Sequence, residues 1–187
     1  MARTHCGDAE AKVRICIDLT KLNEGVRREN FPLPCTDQLL APLSGVTVFS
    51  KLDCNSGFDQ ISLDEDAQEL TTFITPFREF CVKRLSFGII YGSEVFHREM
   101  THILSGVPDV IVDIDDVLIN GRSQQKHDKR LRSMLKRMQE AGITLNEKCF
   151  FSVDTIRFLG HIISQEGIKM DPAKVEAITS LQRPTGV

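Results

Sequence analysis

The chain has no run of eighteen apolar residues, so no stretch of it reads as a membrane-spanning helix. Residues 1–12 contain no apolar core and do not read as a secretory signal. Cys-x-x-Cys pairs are missing as well: the six cysteines, at positions 6, 16, 35, 54, 81 and 149, are scattered without metal-like clustering. Scattered thiols without a secretion signal read as reduced cysteines, mostly small buried hydrophobes, in an intracellular compartment. Internal repeats and low-complexity tracts are absent. So is the excess of positive charge that usually marks a nucleic-acid binder, since the net charge is −3. What is present is ordinary. With 187 residues, 41% of them apolar and 26% charged, the chain has material for one domain, or one and part of another, around a real core.

The charge is unevenly spread. Seven basic residues (Arg122, Lys126, Lys129, Arg130, Arg132, Lys136 and Arg137) share the stretch 122–137 with one acid, Asp128. The plain reading of such a run is a solvated outer face of a helix. Composition alone names no function.

Hydrophobic periodicity gives a coarse order of elements. Residues 13–18 alternate as a strand does. Thr36 to Gly45 predicts a short helix capped by Thr36, with Leu39, Leu40 and Leu43 on its apolar side. Val46 to Asp53 predicts a β-branched strand that stops in the turn group Asn55, Ser56, Gly57. Two strands, Thr71 to Thr75 and Glu79 to Lys83, flank Pro76. Ser93 reads as the N-cap of a helix with Phe96, Met100 and Ile103 along one face. Asp109 to Asn120 predicts a hairpin with Asp115 and Asp116 at or near its tip. Ser123 to Ala141 is the strongest helix, striped by Leu131, Met134, Leu135 and Met138 and stopped by Gly142. Strands return at Ile156 to Ser164 and Ile168 to Met170, and Asp171-Pro172 opens a last helix. Hairpins mixed with helices, without regular alternation, predict an α+β fold.

The segment Val112 to Leu118 carries the most chemistry. Asp113, Asp115 and Asp116 crowd among β-branched residues, where carboxylates repel one another and need cations, a solvated turn or a raised pKa. Plain turn acids are one reading. Another is a phosphatase of the haloacid-dehalogenase type, with Asp113 as nucleophile and Asp115 as acid/base. That family places a Gly after the second Asp, where this chain has Asp116, and no late Gly-Asp-rich motif follows.

A third reading uses the whole chain. Phe49-Ser50-Lys51-Leu52-Asp53-Cys54-Asn55-Ser56-Gly57-Phe58-Asp59-Gln60-Ile61 resembles polymerase motif A of gypsy-type LTR retrotransposon reverse transcriptases. Arg14 to Asp18, Leu22-Asn23 and Phe31-Pro32-Leu33-Pro34 resemble the fingers segments of that family. Thr71 to Phe77 and Arg84 to Ile89 resemble the approach to its motif B. Ile114-Asp115-Asp116 stands where its paired aspartates stand, and His127-Asp128, Leu145-Asn146, Lys148-Cys149 and Phe158-Leu159-Gly160-His161 follow in the family's order. The resemblance covers about residues 13–183, and collinear segments are far more specific than one Asp-Asp pair.

The resemblance implies right-hand polymerase fingers and palm, with an antiparallel palm sheet and a catalytic hairpin packed on helices. Residues 1–12 are poorly matched, residues 13–183 form the domain, and residues 184–187 read as a linker, with thumb, connection and RNase H outside the chain. It implies RNA-directed DNA polymerase activity, with Asp53, Asp115 and Asp116 as catalytic residues and as ligands of two Mg²⁺ ions, for which Mn²⁺ can substitute. The partners implied are an RNA or DNA template with its primer and deoxynucleoside triphosphates, with no membrane. Arg14 is expected at the triphosphate, Phe58 under the deoxyribose, and Gln60, Phe87 and Gly88 at the nucleotide pocket. The location implied is cytoplasmic, nuclear or inside retrotransposon particles.

Four departures from the family stand out. Asp113 replaces an aromatic residue, and strand alternation puts it on the face of Asp115, adding negative charge beside the metals. Ser86 and Ser93 replace prolines, Thr20 replaces an arginine, and Arg78 replaces a turn glycine whose positive φ it would adopt with strain. They imply an alternative: a drifted, inactive copy that at most binds nucleic acid or protein.

Overall fold

The computed structural model describes residues 17–28 and 30–181. Arg14, Cys6, Cys16, most of the expected 13–18 strand and the linker-like end lie outside the described residues.

Nine strands, six α-helices and two short 3-10 helices (Ala41–Leu43 and Gly57–Gln60) make a mixed antiparallel α+β fold among the described residues. The elements run α1 (Thr20–Gly25), α2 (Thr36–Leu40), β1 (Val48–Asp53), α3 (Glu65–Leu70), β2 (Phe73–Ile74), β3 (Glu79–Phe80), α4 (Gly92–Ile103), β4 (Val110–Asp113) and β5 (Asp116–Gly121). They continue through α5 (Gln124–Glu140), β6 (Phe150–Val153), β7 (Thr155–Phe158), β8 (His161–Ser164), β9 (Gly167–Met170) and α6 (Pro172–Thr179). The central sheet has the order β4-β5-β1-β6, with β2-β3 and β7-β8-β9 as separate small sheets.

Side-chain alternation along β1 and β5 divides the core in two. Leu52, Val117 and Ile119 point to one face and bury against Phe96 and Met100 of α4 and Met134 and Met138 of α5. Phe49 and Leu118 point to the other, with Ile111 of β4, and bury against Leu39, Leu40, Leu43, Ile156, Phe158 and Ile163. Each large side chain fully buried this way contributes about 1.5–3 kcal/mol.

α5 forms as its sequence predicts. The Ser123 hydroxyl accepts the Lys126 N–H at 3.5 Å, and Gly142 closes the helix with a φ of +72°. α6 begins where expected too, the Asp171 carboxylate accepting the Ala173 N–H at 3.1 Å. Other boundaries differ. Cys35, not Thr36, caps α2, because the Gln38 side chain accepts the Cys35 N–H at 3.1 Å and Leu39 N–H closes on Cys35 O. α4 starts ahead of Ser93: Gly92 N–H meets Ile89 O at 3.0 Å and Val95 N–H meets Tyr91 O, so Tyr91 is the cap residue. Arg78 adopts no positive φ, and its guanidinium lies over the Phe80 ring at 4.6 Å. The strain expected there is absent. The Ser86 hydroxyl, standing where the family has proline, is buried without a hydrogen-bond partner among the described residues.

Candidate active site

Register assembles the acids. Asp53 lies opposite Asp116, and Asp116 lies opposite Asp113, so three carboxylates form one row across β1, β5 and β4. Opposed residues in an antiparallel pair share a face, with Cβ atoms about 5 Å apart. On that face each strand runs from a buried apolar residue (Phe49, Leu118, Ile111) to an acid at its uncovered end. The face is buried at Phe49, Leu118 and Ile111, and the three acids at its other end are all partly exposed.

The hairpin tip holds Ile114, at a φ of +54°, and the exposed Asp115. The alternation expected to place Asp113 beside Asp115 stops at this turn, and the ladder sets Asp113 opposite Asp116 instead. Asp115 is tied in through its backbone: its carbonyl accepts the Cys54 N–H at 3.1 Å.

Like charges at this spacing repel, and a lysine intervenes. Lys51 Nζ stands 2.7 Å from Asp116 Oδ2, with both side chains partly buried. Burial raises the Asp116 carboxyl above the ordinary range, Lys51 opposes the rise, and Asp115 and Asp53 add to it. The Asp113 carboxyl is also raised, by burial first, with His97 and Lys51 lowering it and Asp115 raising it. Beneath the row, burial and the neighbouring carboxylates push the Cys54 thiol up to about 12. Such a thiol stays protonated and inert.

Asp53 is held from a distant part of the chain. Asn146 donates from Nδ2 to Asp53 Oδ2 at 3.2 Å and from its backbone N–H to Asp53 O at 2.8 Å. The Asp53 N–H points to Cys149 Sγ at 3.4 Å. Gln60 braces the same segment: its amide nitrogen donates to Asn55 O and Thr144 O, and its Oε1 accepts the Thr144 N–H at 2.6 Å. Both ends of the Gln60 side chain are thereby engaged.

Beside the row lies an aromatic group. Phe58 meets Phe87 edge-on at 4.9 Å and Phe96 at 5.5 Å, and Phe87 is more than half exposed. Gly88 has a φ of +104°, a conformation that suits glycine alone. Asn23 clamps this loop, donating to Gly88 O at 2.8 Å and accepting the Ile90 N–H at 3.0 Å. The structure thus groups Asp53, Asp115 and Asp116, and groups Phe58, Phe87 and Gly88. Lys51, Asn23 and Asn146 were not assigned roles from sequence. Lys51 was readable, two residues before Asp53 on one strand face, whereas Asn146 carries no local signal of its contact 93 positions away.

Carboxylate oxygens at strand ends suit a hard divalent cation. No three His, Cys, Asp or Glu side chains among the described residues close into a ready cage. The Lys51 ammonium supplies the positive charge the row needs. In chemistry the donor set fits a hard cation.

An antiparallel sheet backed by helices, with acids at the adjoining ends of a central strand and a hairpin, defines a palm-type polymerase fold. The chain belongs to the reverse transcriptase (RNA-dependent DNA polymerase) family, whose pattern it matches over residues 7–163. It is 33% identical over 177 residues to the retrovirus-related Pol polyprotein from transposon 297 of Drosophila melanogaster, which covers 93% of this chain. It is also 33% identical over 174 residues to that from transposon gypsy of the same fly, covering 91%. The chain spans 17% of the length of each of these relatives. In fold it matches the foamy viral protease-reverse transcriptase dRH in complex with double-stranded DNA, with a TM-score of 0.86 at 22% identity over 96% of this chain and 32% of that one. The same viral protein with an RNA/DNA hybrid matches with a TM-score of 0.81 at 23% identity, over 91% and 24% of the two chains. No helix among the described residues is long and apolar enough to cross a membrane.

Proposed function

We propose that this chain is the palm and part of the fingers of an RNA-directed DNA polymerase, which joins deoxynucleotides to a primer 3′-hydroxyl on an RNA or DNA template. One observation carries the reading: the carboxylate row at the uncovered end of the sheet, with Asp115 on the adjoining turn. Asp53, Asp115 and Asp116 would hold two Mg²⁺ ions, or Mn²⁺ in their place. Such ions, when bound, supply Lewis-acid stabilisation of the attacking and leaving oxygens. The protein's part is to hold the ligands still. Asn146 orients the Asp53 carboxylate, Lys51 offsets the repulsion at Asp116, and the ladder fixes their separation.

Phe58 and Phe87 offer aromatic faces to the incoming deoxynucleotide, and Gly88 leaves room for close backbone approach. Arg14 is assigned to the triphosphate on the family motif, where a guanidinium fork suits phosphate oxygens. Gln60 acts by fixing the loop that carries Thr144. The template contacts are expected to fall mainly on backbone phosphates, and so to tolerate changes of sequence. Two foamy viral structures of the same fold hold double-stranded DNA and an RNA/DNA hybrid, which supports the template class. The location that goes with this reading is intracellular, cytoplasmic or nuclear or within retrotransposon particles, and the transposon relatives support it.

One observation favours a second reading, a fold retained without catalysis. Asp113 adds a third acid to the row, where the family's aromatic residue would add none. Extension of an oligo-dT primer on poly-rA with Mg²⁺ or Mn²⁺ separates the readings. The polymerase reading expects incorporation by the unaltered chain that Asp53→Asn abolishes. Silence from the unaltered chain with recovery in Asp113→Tyr would assign a palm disabled at its hairpin. Silence from all three would leave only the fold.

A further inference from the structure

At the far end of β5, five residues and so about 17 Å along the strand from Asp116, a separate concavity opens between the turn before β1 and the start of α5. Its volume is about 280 Å³. Pro42 and Val46 give it an apolar wall, and Arg122, Lys126 and Arg130 line it together with Asp109 and Asn120. Three cations and one acid in a chain of net charge −3 make this a local reversal of sign.

The three cations are differently prepared. Arg130 is fixed: its guanidinium donates to Asn120 O at 2.8 Å and pairs with the Asp109 carboxylate. Asp109 is itself held, its carbonyl accepting the Asn120 amide at 3.0 Å. Arg122, from the end of β5, and Lys126, one helical turn before Arg130, have no carboxylate partner among the described residues. The pocket therefore has a held guanidinium already offset by Asp109 and two exposed cations that no carboxylate among the described residues offsets. An unpaired guanidinium and an unpaired ammonium side by side, held against a braced wall, suit the oxygens of a phosphate group. The flanking apolar wall suits a sugar edge better than a free ion.

We propose that this pocket binds the phosphodiester backbone of a nucleic-acid strand, remote from the carboxylate row. The proposal rests on the template-binding reading above and adds a second phosphate contact to it. It gives the basic stretch 122–137 a use on one side only, since Lys129 and Arg132 lie outside the pocket.

The test is anisotropy of a labelled single-stranded RNA with the 187-residue chain in EDTA, across a range of KCl. Nucleotidyl transfer is silent there, so failure of the polymerase reading does not affect the outcome. The variants are Arg122→Ala/Lys126→Ala and, with the same charge change, Lys129→Ala/Arg132→Ala. Equal unfolding midpoints confirm that both are folded, and Arg130 is left intact because it bonds the strand. The pocket variant is expected to bind about tenfold more weakly, and the slope of log K against log[salt] should fall by about 1.4 for two lost phosphate contacts. The control variant should keep most of its affinity and slope. Equal losses in both variants would reduce the pocket to general charge and overturn the proposal. Inorganic phosphate is the second probe. If it raises the unfolding midpoint of the unaltered chain but not of the pocket variant, while RNA binding is the same in both, the ligand is a free anion and the nucleic-acid assignment is wrong.

Discussion

Lys51 is the residue on which the row depends at rest. It stands two positions before Asp53 and contacts Asp116 across the strands, so one ammonium serves a row of like charges. A partly buried ion pair of this kind is worth about 1–2 kcal/mol, and each kcal/mol moves the midpoint of a chain this size by about 2–4 °C. Lys51→Met should therefore lower the thermal midpoint in EDTA at pH 7 by several degrees, and an unchanged midpoint would show that the pair is inert. Asp113 makes the opposite case. Burial raises its carboxyl in the folded chain, so the folded state holds that proton more tightly than the unfolded state does. The cost of ionising it is absent below about pH 4 and grows as pH rises through the raised value. Asp113→Asn should accordingly stabilise the chain at pH 7 and leave it unchanged near pH 3, as denaturant melts at the two pH values would show. Equal effects at both would trace the change to packing. The sequence marked Asp113 as out of place, but its opposite number is Asp116, because alternation ends where the turn begins.

At the scale of elements, α5 and β5 meet more closely than any sequence pattern indicates. A Cβ added at Gly121 would come within 2.6 Å of His127 Cβ and 2.9 Å of its backbone nitrogen. His127 is fully buried, its ring joining Ser50 Oγ at 2.9 Å to the Asp128 carboxylate at 3.0 Å, while Ser50 Oγ also accepts the Ser152 N–H. This chain of bonds ties β1, α5 and β6 together. Gly121→Ala should cost about 1–3 kcal/mol by overpacking, read from urea melts, while a loss under about 0.5 kcal/mol would mean that the helix can shift freely. Long, strongly periodic elements such as α5 and the β4-β5 hairpin were legible from apolar spacing alone. The short helices α1 and α3 were not, since each has six residues and buries no side chain fully. β6 escaped because it is an edge strand whose two phenylalanines are exposed, so it shows no alternation. Cap positions slipped by one or two residues where a Gln side chain or a preceding turn overrode the expected Thr36 and Ser93.

At the scale of the molecule, the fold, fingers and palm with an antiparallel palm sheet and its hairpin packed on helices, was read from collinear motifs, and the family match and the shared folds bear it out; the packing of β7 and β8 on the sheet's other face was not read. Of the candidate site, the sequence named the acids and aromatics that the fold groups and named none of their supports. Asn146 and Cys149 reach Asp53 from more than ninety positions away, and only the folded sheet brings them there. The second phosphate contact at Arg122 and Lys126 belongs to this scale too, because strand end, helix start and turn must meet to make it. The central claim is that the carboxylate row is built to take divalent cations. Titration of Mn²⁺ into the chain, with free Mn²⁺ read by electron paramagnetic resonance, tests it most directly. The unaltered chain is expected to deplete the free signal, and Asp53→Asn should weaken that uptake by about tenfold or more as one carboxylate charge is lost. Identical uptake by the two chains would contradict the account, because Asp53 would then be a strand-end acid and no part of a metal site.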